Sequence, residues 1–154
     1  SCHDSKGGAI HFIRECLEKA RSLFPDAVLE VRVDAAFFAQ NIIELLEKQG
    51  IEYAVKVPLW NWLPMKSMIA ERQRWHPARD GMSYFRERIF VKKWNRFVDV
   101  TIYRLKLSER KREPVKQLDF FCPDDGIYEF QVIASNKDLE AANLMDFFIS
   151  EFIQ

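Results

Sequence analysis

The stretch that decides the fold is residues 28–38, which read VLEVRVDAAFF. Residues 28–33 are mostly apolar or β-branched and predict a short, largely buried strand. Asp34 ends that strand, and the small residues after it favour the start of a helix. We therefore expect the side chain of Asp34 to lie at the carboxyl end of a strand.

A helix and a second strand follow this stretch. Residues 36–49 place apolar side chains at helical spacing, and Gly50 stands where a helix C-terminus favours a left-handed residue. Residues 53–57 predict a second strand, which Pro58 ends. The right-handed crossover rule makes these two strands parallel and side by side, or nearly so. Chemistry in open α/β sheets lies in the crevice beyond such strand ends, where Asp34 is expected.

The remaining sequence predicts one helix before this unit and further β structure after it. An amphipathic helix over residues 10–24 precedes the first strand, with Cys16 on its apolar stripe as a core residue. The later elements are, in chain order, a helix over 65–74, strands over 84–92 and 97–107 around the turn 94–96, strands over 117–122 and 128–134 around the turn 123–126, and a helix over 138–153.

We expect a single α/β domain, a mixed sheet flanked by helices with a β-rich insertion. Its 154 residues, 48% hydrophobic and 30% charged, are enough for one packed core, and no repeat or linker interrupts them. The expected parts are an α-β-α-β core over about 1–58, inserted β material and hairpins over about 59–126, and the last strand and helix over about 127–154.

Charge, cysteine usage and hydropathy narrow the class of protein. The formal net charge is zero, so any surface for nucleic acid has to be a local patch. The three cysteines have neither disulfide nor zinc spacing, which fits a reducing cytosol. No stretch reaches the roughly 20 apolar residues that span a bilayer, and the N-terminus has no signal-peptide pattern. We expect no membrane partner and a cytoplasmic location.

A basic segment in the second half of the chain is the candidate DNA surface. Residues 86–116 contain eleven Lys or Arg against four Asp or Glu. Clustered basic side chains supply most non-specific affinity for DNA phosphates, so a DNA-binding hairpin with Trp94 at its tip is one interpretation. A solvated strand face with a charged turn is the other. The candidate DNA-binding residues are Arg86, Arg88, Lys92, Lys93, Arg96, Arg104 and Lys106.

Three tryptophans near the second predicted strand and the hairpin admit two interpretations. Trp60, Trp62 and Trp75 have the aromatic faces that stack on an extruded base in some DNA enzymes. Clustered aromatic side chains are more often part of a hydrophobic core. Core packing is therefore the favoured interpretation.

Three motifs resemble those of DDE-type bacterial transposases of the IS4/IS1380 kind. Residues 31–38, VRVDAAFF, resemble the second acidic motif, in which a strand ends in Arg-x-Asp and a helix opens with a small residue and aromatics. Residues 3–7 resemble the segment just before the helix that precedes this motif. Residues 128–136, followed by a helix with Phe147 and Phe148, resemble the stretch that leads into the last acidic motif.

The resemblance implies an RNase H-like domain in which three carboxylates hold two divalent cations, Mg²⁺ or Mn²⁺. In such a domain Asp34 is a catalytic residue and a metal ligand. The implied reaction is DNA cleavage and strand transfer at the ends of an insertion element. The implied partners are double-stranded DNA and, in the full-length protein, a second copy of the chain, in the bacterial cytoplasm at the nucleoid.

Departures from the family pattern indicate an internal piece that is inactive alone. The first catalytic Asp of the family belongs to a hairpin before the first helix, and the sequence has no such hairpin. Glu151 follows the aromatic pair too soon to be the last acid and lacks the basic residue expected before it. Ala35 stands where the family suggests Ser or Gly. One acid of three cannot hold a metal pair, so we expect the metal to bind only when the missing acids are supplied.

Three other interpretations compete with the transposase. Asp34 alone can cap the helix that follows it, as Asp often does. A domesticated, non-catalytic DNA-binding or scaffolding remnant would keep the fold without the chemistry. A restriction-type nuclease also uses carboxylates at strand ends, but it requires the motif Asp/Glu-x-Lys on one strand. Glu52 and Lys56 are too far apart for that motif, and Asp34 has no such Lys after it.

Overall fold

The structure, a computed structural model, describes residues 5–60, 62–107 and 127–149. Its helices are α1 (Ser5–Leu23), α2 (Gln40–Lys48), α3 (Met65–Glu71) and α4 (Ala141–Ile149). Its strands are β1 (Glu30–Val33), β2 (Glu52–Lys56), β3 (His76–Arg79), β4 (Met82–Val91), β5 (Arg96–Lys106) and β6 (Tyr128–Ser135). Short 3-10 turns span Ala35–Phe37 and Lys92–Trp94.

One mixed sheet of six strands, in the order β1-β2-β6-β5-β4-β3, organises these elements. β1 and β2 are parallel and pair directly, which confirms the predicted β-α-β unit. The other neighbouring pairs are antiparallel. The segment expected as inserted β material, residues 59–126, contributes β3, β4 and β5 to this same sheet. The predicted α/β class with a mixed sheet is confirmed.

Helices α1, α2 and α3 cover one face of the sheet, which we call the three-helix face. Val55, Phe85 and Ile102 point to this face from three different strands and are fully buried. α1 packs on the same core through Ile13 and Leu17. Removing an apolar side chain of this size from water contributes about 1.5–3 kcal/mol, so this face supplies most of the stabilising burial.

The opposite face, which we call the α4 face, is covered in part by α4. The residues packed there are Ala54, Tyr103 and Ile133 of the strands and Ala141, Leu144, Met145 and Phe148 of the helix. Side chains of the sheet also bind backbone carbonyls of α4: the Tyr103 hydroxyl donates to Ala141 O at 2.7 Å, and Arg79 Nη2 donates to Ala142 O at 2.8 Å. These polar contacts fix the start of α4 on the sheet.

The prediction of one helix over residues 36–49 is wrong at its start. Ala35–Phe37 form a separate 3-10 turn, and the extended Ala39, with φ of −145°, intervenes before α2. The packing of Phe38 accounts for the break. This side chain is buried, and its ring centroid lies 4.7 Å from that of Trp94 at the far hairpin. A continuous helix is therefore interrupted by an aromatic contact that no local pattern reveals.

The assignment of Cys16 to the core is also wrong, because Cys16 is exposed. α1 contacts the rest of the protein along a narrow line through Ile13 and Leu17, and Cys16 lies on the flank of that line. The prediction for Gly50 is confirmed, since its φ is 66° directly after α2. A left-handed residue of this kind lets the chain turn back into β2.

The last helix begins at Ala141, three residues later than the predicted start at residue 138. The carbonyl of Leu139 accepts a hydrogen bond from Arg86 instead of a helical partner, which holds the preceding segment on the sheet. The predicted strand over 117–122, the turn over 123–126 and Glu151 lie outside the described residues. Within the described ranges, no helix is long and apolar enough to cross a membrane.

Candidate functional site

Asp34 lies at the carboxyl end of β1, where the sequence predicts it. Its backbone is extended, with φ of −74° and ψ of 171°, and its side chain is exposed. Oδ1 accepts a hydrogen bond of 2.7 Å from the backbone N of Ala35. Asp34 therefore caps the 3-10 turn and at the same time presents a carboxylate at the protein surface.

The neighbouring strand end carries a buried lysine. Val33 of β1 pairs with Val55 of β2, so Asp34 and Lys56 come next on the two strands. Lys56 is 3% exposed. Among the residues that the structure describes, no group of three or more His, Cys, Asp or Glu side chains is placed to hold a metal ion. One carboxylate and one buried cation therefore stand at the ends of these two adjacent strands.

α4 rests on β1 at Phe147. Arg32 Nη1 donates a hydrogen bond of 2.7 Å to Phe147 O, and its guanidinium carbon lies 4.9 Å from the centre of the Phe147 ring. Lys137 Nζ lies 4.3 Å from the same ring and forms an ion pair with Glu30. Arg32 and Lys137 therefore hold α4, at Phe147, against the strand that leads to Asp34.

The seven candidate DNA-binding residues do not form one surface. Side chains alternate between the two faces along a strand, and Phe85 on β4 and Val98 on β5 mark the three-helix face. The strand register then places Arg96, Arg104 and Lys106 on the three-helix side, Arg86 and Arg88 on the α4 side, and Lys92 and Lys93 in the connecting turn.

Arg96 and Arg104 are bound by neighbours within the fold. Arg96 forms a bidentate pair with Glu47, with Nη2 to Oε1 at 2.8 Å and Nη1 to Oε2 at 3.0 Å. The guanidinium of Arg104 lies 4.5 Å from the ring centre of Trp75 and 4.4 Å from that of Tyr128. A DNA phosphate would have to compete with these contacts for either side chain.

Arg86 and Arg88 lie on the α4 face with different partners. Arg86 donates to Thr101 Oγ1 at 3.2 Å and to Leu139 O, both neutral acceptors. Arg88 binds both carboxylate oxygens of Asp99, at 2.8 and 3.3 Å, and this hydrogen bonding raises the pKa of Arg88. Arg86 therefore keeps its net charge for an anion, whereas that of Arg88 is balanced by Asp99.

The turn lysines and the tryptophans form a mixed cationic and aromatic cluster. Lys93 Nζ lies 4.3 Å from the ring centre of Trp62, whose ring stacks on Trp60 with centroids 5.1 Å apart. Trp62 and Trp75 pack against the core, which confirms the core interpretation for them, whereas Trp60 is 40% exposed. Lys92 is exposed.

A groove on the α4 face runs between the β4–β5 hairpin and the segment before α4. Its volume is about 450 Å³. An adjoining depression of about 270 Å³ reaches Phe97 and also Glu47, Tyr53 and Arg96 of the three-helix face. Both are lined by Arg88, Asp99, Ser135 and Asn136. The sequence patterns do not reveal this groove, because it forms where β6, distant along the chain, pairs with β5.

Two buried tyrosines lie on opposite faces of the sheet. Burial, followed by the Glu47 carboxylate that accepts its hydroxyl at 3.0 Å, raises the pKa of Tyr53. Burial raises the pKa of Tyr103 on the α4 face. Both hydroxyls are therefore neutral hydrogen-bond donors over the physiological range of pH.

No protein-family model matches this chain, and no curated protein matches its sequence. The features that bear on function are Asp34, the contact of α4 with β1 and the basic hairpin. Of these, only Asp34 and the basic side chains are apparent from the sequence.

Proposed function

We propose that the chain is part of the catalytic domain of a DDE-type transposase of the IS4/IS1380 kind. In this proposal the domain is RNase H-like, Asp34 is one of its metal-binding catalytic acids, and the basic hairpin contacts double-stranded DNA. The reaction of the whole protein is metal-dependent cleavage of DNA and strand transfer at the ends of an insertion element.

The observation that carries the proposal is the placement of Asp34. An exposed carboxylate at the carboxyl end of the first of two adjacent parallel strands lies where α/β sheets place their chemistry. The hydrogen bond from Arg32 to Phe147 brings α4 beside the same strand. In the family the last acid is a Glu on the final helix, so a helix that runs beside this strand supports the approach of that Glu to Asp34.

The edge of the sheet supports the RNase H-like assignment. β1 is the outermost strand of the described sheet, and no strand within residues 5–60, 62–107 or 127–149 pairs with its outer edge. In the family, the first acid belongs to a strand of a hairpin that precedes the first helix. The outer edge of β1 would receive it.

The described residues do not fit a metal ion by themselves. Mg²⁺ binds several hard oxygen ligands, and Asp34 offers one carboxylate with no group of acids around it in the described part of the chain. Mg²⁺ or Mn²⁺ would bind only when two further acids are supplied from outside these residues. Asp34 alone supports no catalytic step.

The test uses the longest protein that the gene encodes, with Asp34→Asn as the decisive variant. Asn keeps an oxygen that accepts the hydrogen bond from Ala35, so the capped turn persists while the metal-binding charge is lost. We expect Mn²⁺-dependent nicking of DNA that flanks the gene to fall by at least 100-fold. Asp26→Asn, at an exposed acid in the turn after α1, is the matched control and should keep full activity.

Two outcomes decide against catalysis. Full nicking by Asp34→Asn would make Asp34 a helix cap only. Absence of nicking by the unaltered protein, together with tight binding of duplex DNA, would favour a non-catalytic DNA-binding remnant. Both results are read with the same substrate and the same concentration of Mn²⁺.

Duplex binding is tested separately, from the salt dependence of fluorescence anisotropy. Each phosphate contact contributes about 0.9 to the slope of log affinity against log salt. Arg86→Gln should reduce the slope by about one, because Arg86 has only neutral partners among its described hydrogen bonds. Arg104→Gln, at an arginine enclosed by two rings, should leave the slope unchanged. Equal effects of the two variants would contradict this assignment of the DNA surface.

A further inference from the structure

Two phenylalanines stand exposed on the α4 face of the β4–β5 hairpin. Phe90 and Phe97 pair directly across the two strands, and their side chains are 43% and 56% exposed. Their ring centroids are 5.1 Å apart, with the ring planes tilted by 59°. The alternation that puts Arg86 and Arg88 on this face also puts Phe90 there. The hairpin thus presents two adjacent aromatic rings to solvent.

Cationic side chains border the phenylalanine pair. Arg88 lies two residues before Phe90 on the same face, and Lys92 follows it in the turn. Arg86 is further along the same row of β4, where its described hydrogen bonds go to neutral oxygens. Asp99 balances the charge of Arg88 on this face, so Arg86 and Lys92 are the side chains that bring net positive charge to the border of the pair. Phosphates on either side of bases stacked on the rings are complementary to these two cations, since arginine and lysine bind phosphate.

Two polar side chains in the groove beside the phenylalanine pair are used within the fold. Ser135 Oγ donates to Tyr53 O and accepts from Lys137 N, and the Asn136 amide binds backbone N and O atoms of β2 and the residue before it. These two groups fix the edge of the sheet, and Asp99 of the same groove is paired with Arg88. Recognition at the phenylalanine pair therefore rests on its aromatic faces and on the adjacent cations.

We propose that this surface binds single-stranded nucleic acid. Unpaired bases stack on Phe90 and Phe97, while the flanking phosphates of the strand lie toward Lys92 on one side and toward Arg86 on the other. Base faces are free to stack only in a single strand, because in a duplex they are covered by neighbouring pairs. Binding is tolerant of sequence, since every base has an aromatic face. The proposal needs only the hairpin and stands apart from the transposase assignment.

The test measures anisotropy of a fluorescein-labelled 20-residue oligothymidylate and of a 20-base-pair duplex at two salt concentrations. Stacking contributes about 1–3 kcal/mol per base, so Phe97→Ala should weaken oligothymidylate binding by about 5-fold or more. Phe97→Tyr keeps the aromatic face and should retain the affinity. Phe12→Ala, at a phenylalanine on α1 that is 57% exposed, is the matched control and should change nothing. Affinity for the duplex should be the same in all four proteins.

Three results would overturn the proposal. The first is no binding of oligothymidylate at low salt. The second is an equal loss of oligothymidylate and duplex binding in Phe97→Ala, which would assign the ring to the fold or to general DNA contact. The third is a dimer by light scattering that Phe97→Ala dissociates without changing oligothymidylate binding, since the pair would then be an interface between copies of the chain. A urea-unfolding midpoint shared by all variants shows that folding is intact.

Discussion

The two faces of the β4–β5 hairpin carry similar residue types, but those on the three-helix face are buried or paired and those on the α4 face are more exposed. On the three-helix face, Phe85 is buried and Arg96 is paired with Glu47. On the α4 face, Phe90 stands exposed and Arg86 faces neutral oxygens at the border of a groove. The excess of basic residues in this segment is therefore not a measure of its affinity for DNA. Partners across the fold decide which cations and rings remain free to bind a ligand.

The largest expected contrast between the faces is in core stability. Phe85→Ala should lower the free energy of unfolding by about 3–5 kcal/mol, because it leaves a cavity beside Trp75 and Arg72, which lie 4.7 and 4.5 Å from the Phe85 ring. Phe90→Ala, at a ring on the same strand that is 43% exposed and contacts Phe97, should change it by at most about 1 kcal/mol. Urea unfolding measures both. A similar loss in the two variants would mean that the α4 face is covered at Phe90.

Alkaline pH should lower the free energy of unfolding, because each face of the sheet contains a buried tyrosine. The raised pKa of Tyr53 and of Tyr103 means that the unfolded chain loses protons above about pH 10 while the folded protein keeps them. Stability is therefore fully present below pH 10 and falls as pH rises, by up to about 1.4 kcal/mol per pH unit for each tyrosine. Urea midpoints measured between pH 9 and 11.5, a range set by the ordinary tyrosine pKa of about 10, test this.

Replacing each tyrosine by phenylalanine shows how much of the loss of stability at high pH comes from each face. Tyr103→Phe should lose about 1 kcal/mol at neutral pH with its hydrogen bond to Ala141 O, yet show a shallower decline above pH 10. Tyr53→Phe should behave alike, with the loss of its bond to Glu47. A flat stability profile in the unaltered protein up to pH 11.5 would show that the tyrosines are more accessible than their burial indicates.

A smaller contrast is expected between the two ion pairs. Arg96→Met should cost about 1 kcal/mol, because it leaves a half-buried Glu47 without its bidentate partner. Arg88→Met should have no measurable effect on stability, since both Arg88 and Asp99 are largely in solvent. Thermal unfolding at low and at high salt compares them. A larger loss of stability in Arg88→Met than in Arg96→Met would contradict the difference proposed between the two faces.

Local patterns were sufficient for the β-α-β unit and insufficient for the sheet as a whole. The strand ending at Asp34 and the glycine at residue 50 follow from residue types and spacing within a few positions. The pairing of β6 between β2 and β5 does not, because it joins residues far apart in sequence. Phe38 shows the same limit, since its contact with Trp94 interrupts a helix that periodicity favours.

The candidate site was predictable in its parts and not in its arrangement. The sequence identifies Asp34, and it identifies every basic residue of the hairpin. It contains no local signal for the hydrogen bond from Arg32 to Phe147, which joins strand and helix across more than a hundred residues. It also gives no sign that Glu47 neutralises Arg96, because helix packing on the sheet brings them together.

The smallest expected effect on stability concerns Asp34, which is exposed, as Phe90 is on the α4 face. Asp34→Ala removes the hydrogen bond to Ala35 N and should lower the free energy of unfolding by about 0.5–1 kcal/mol, whereas Asp34→Asn should be nearly neutral. Urea unfolding without divalent cations measures this capping effect alone. If Asn is as destabilising as Ala, the carboxylate charge itself stabilises the fold, beside Lys56 on the next strand. A loss of nicking in Asp34→Asn could then result from a loss of folded protein. The variant tests the metal-ligand role of Asp34 only if it is as stable as the unaltered protein.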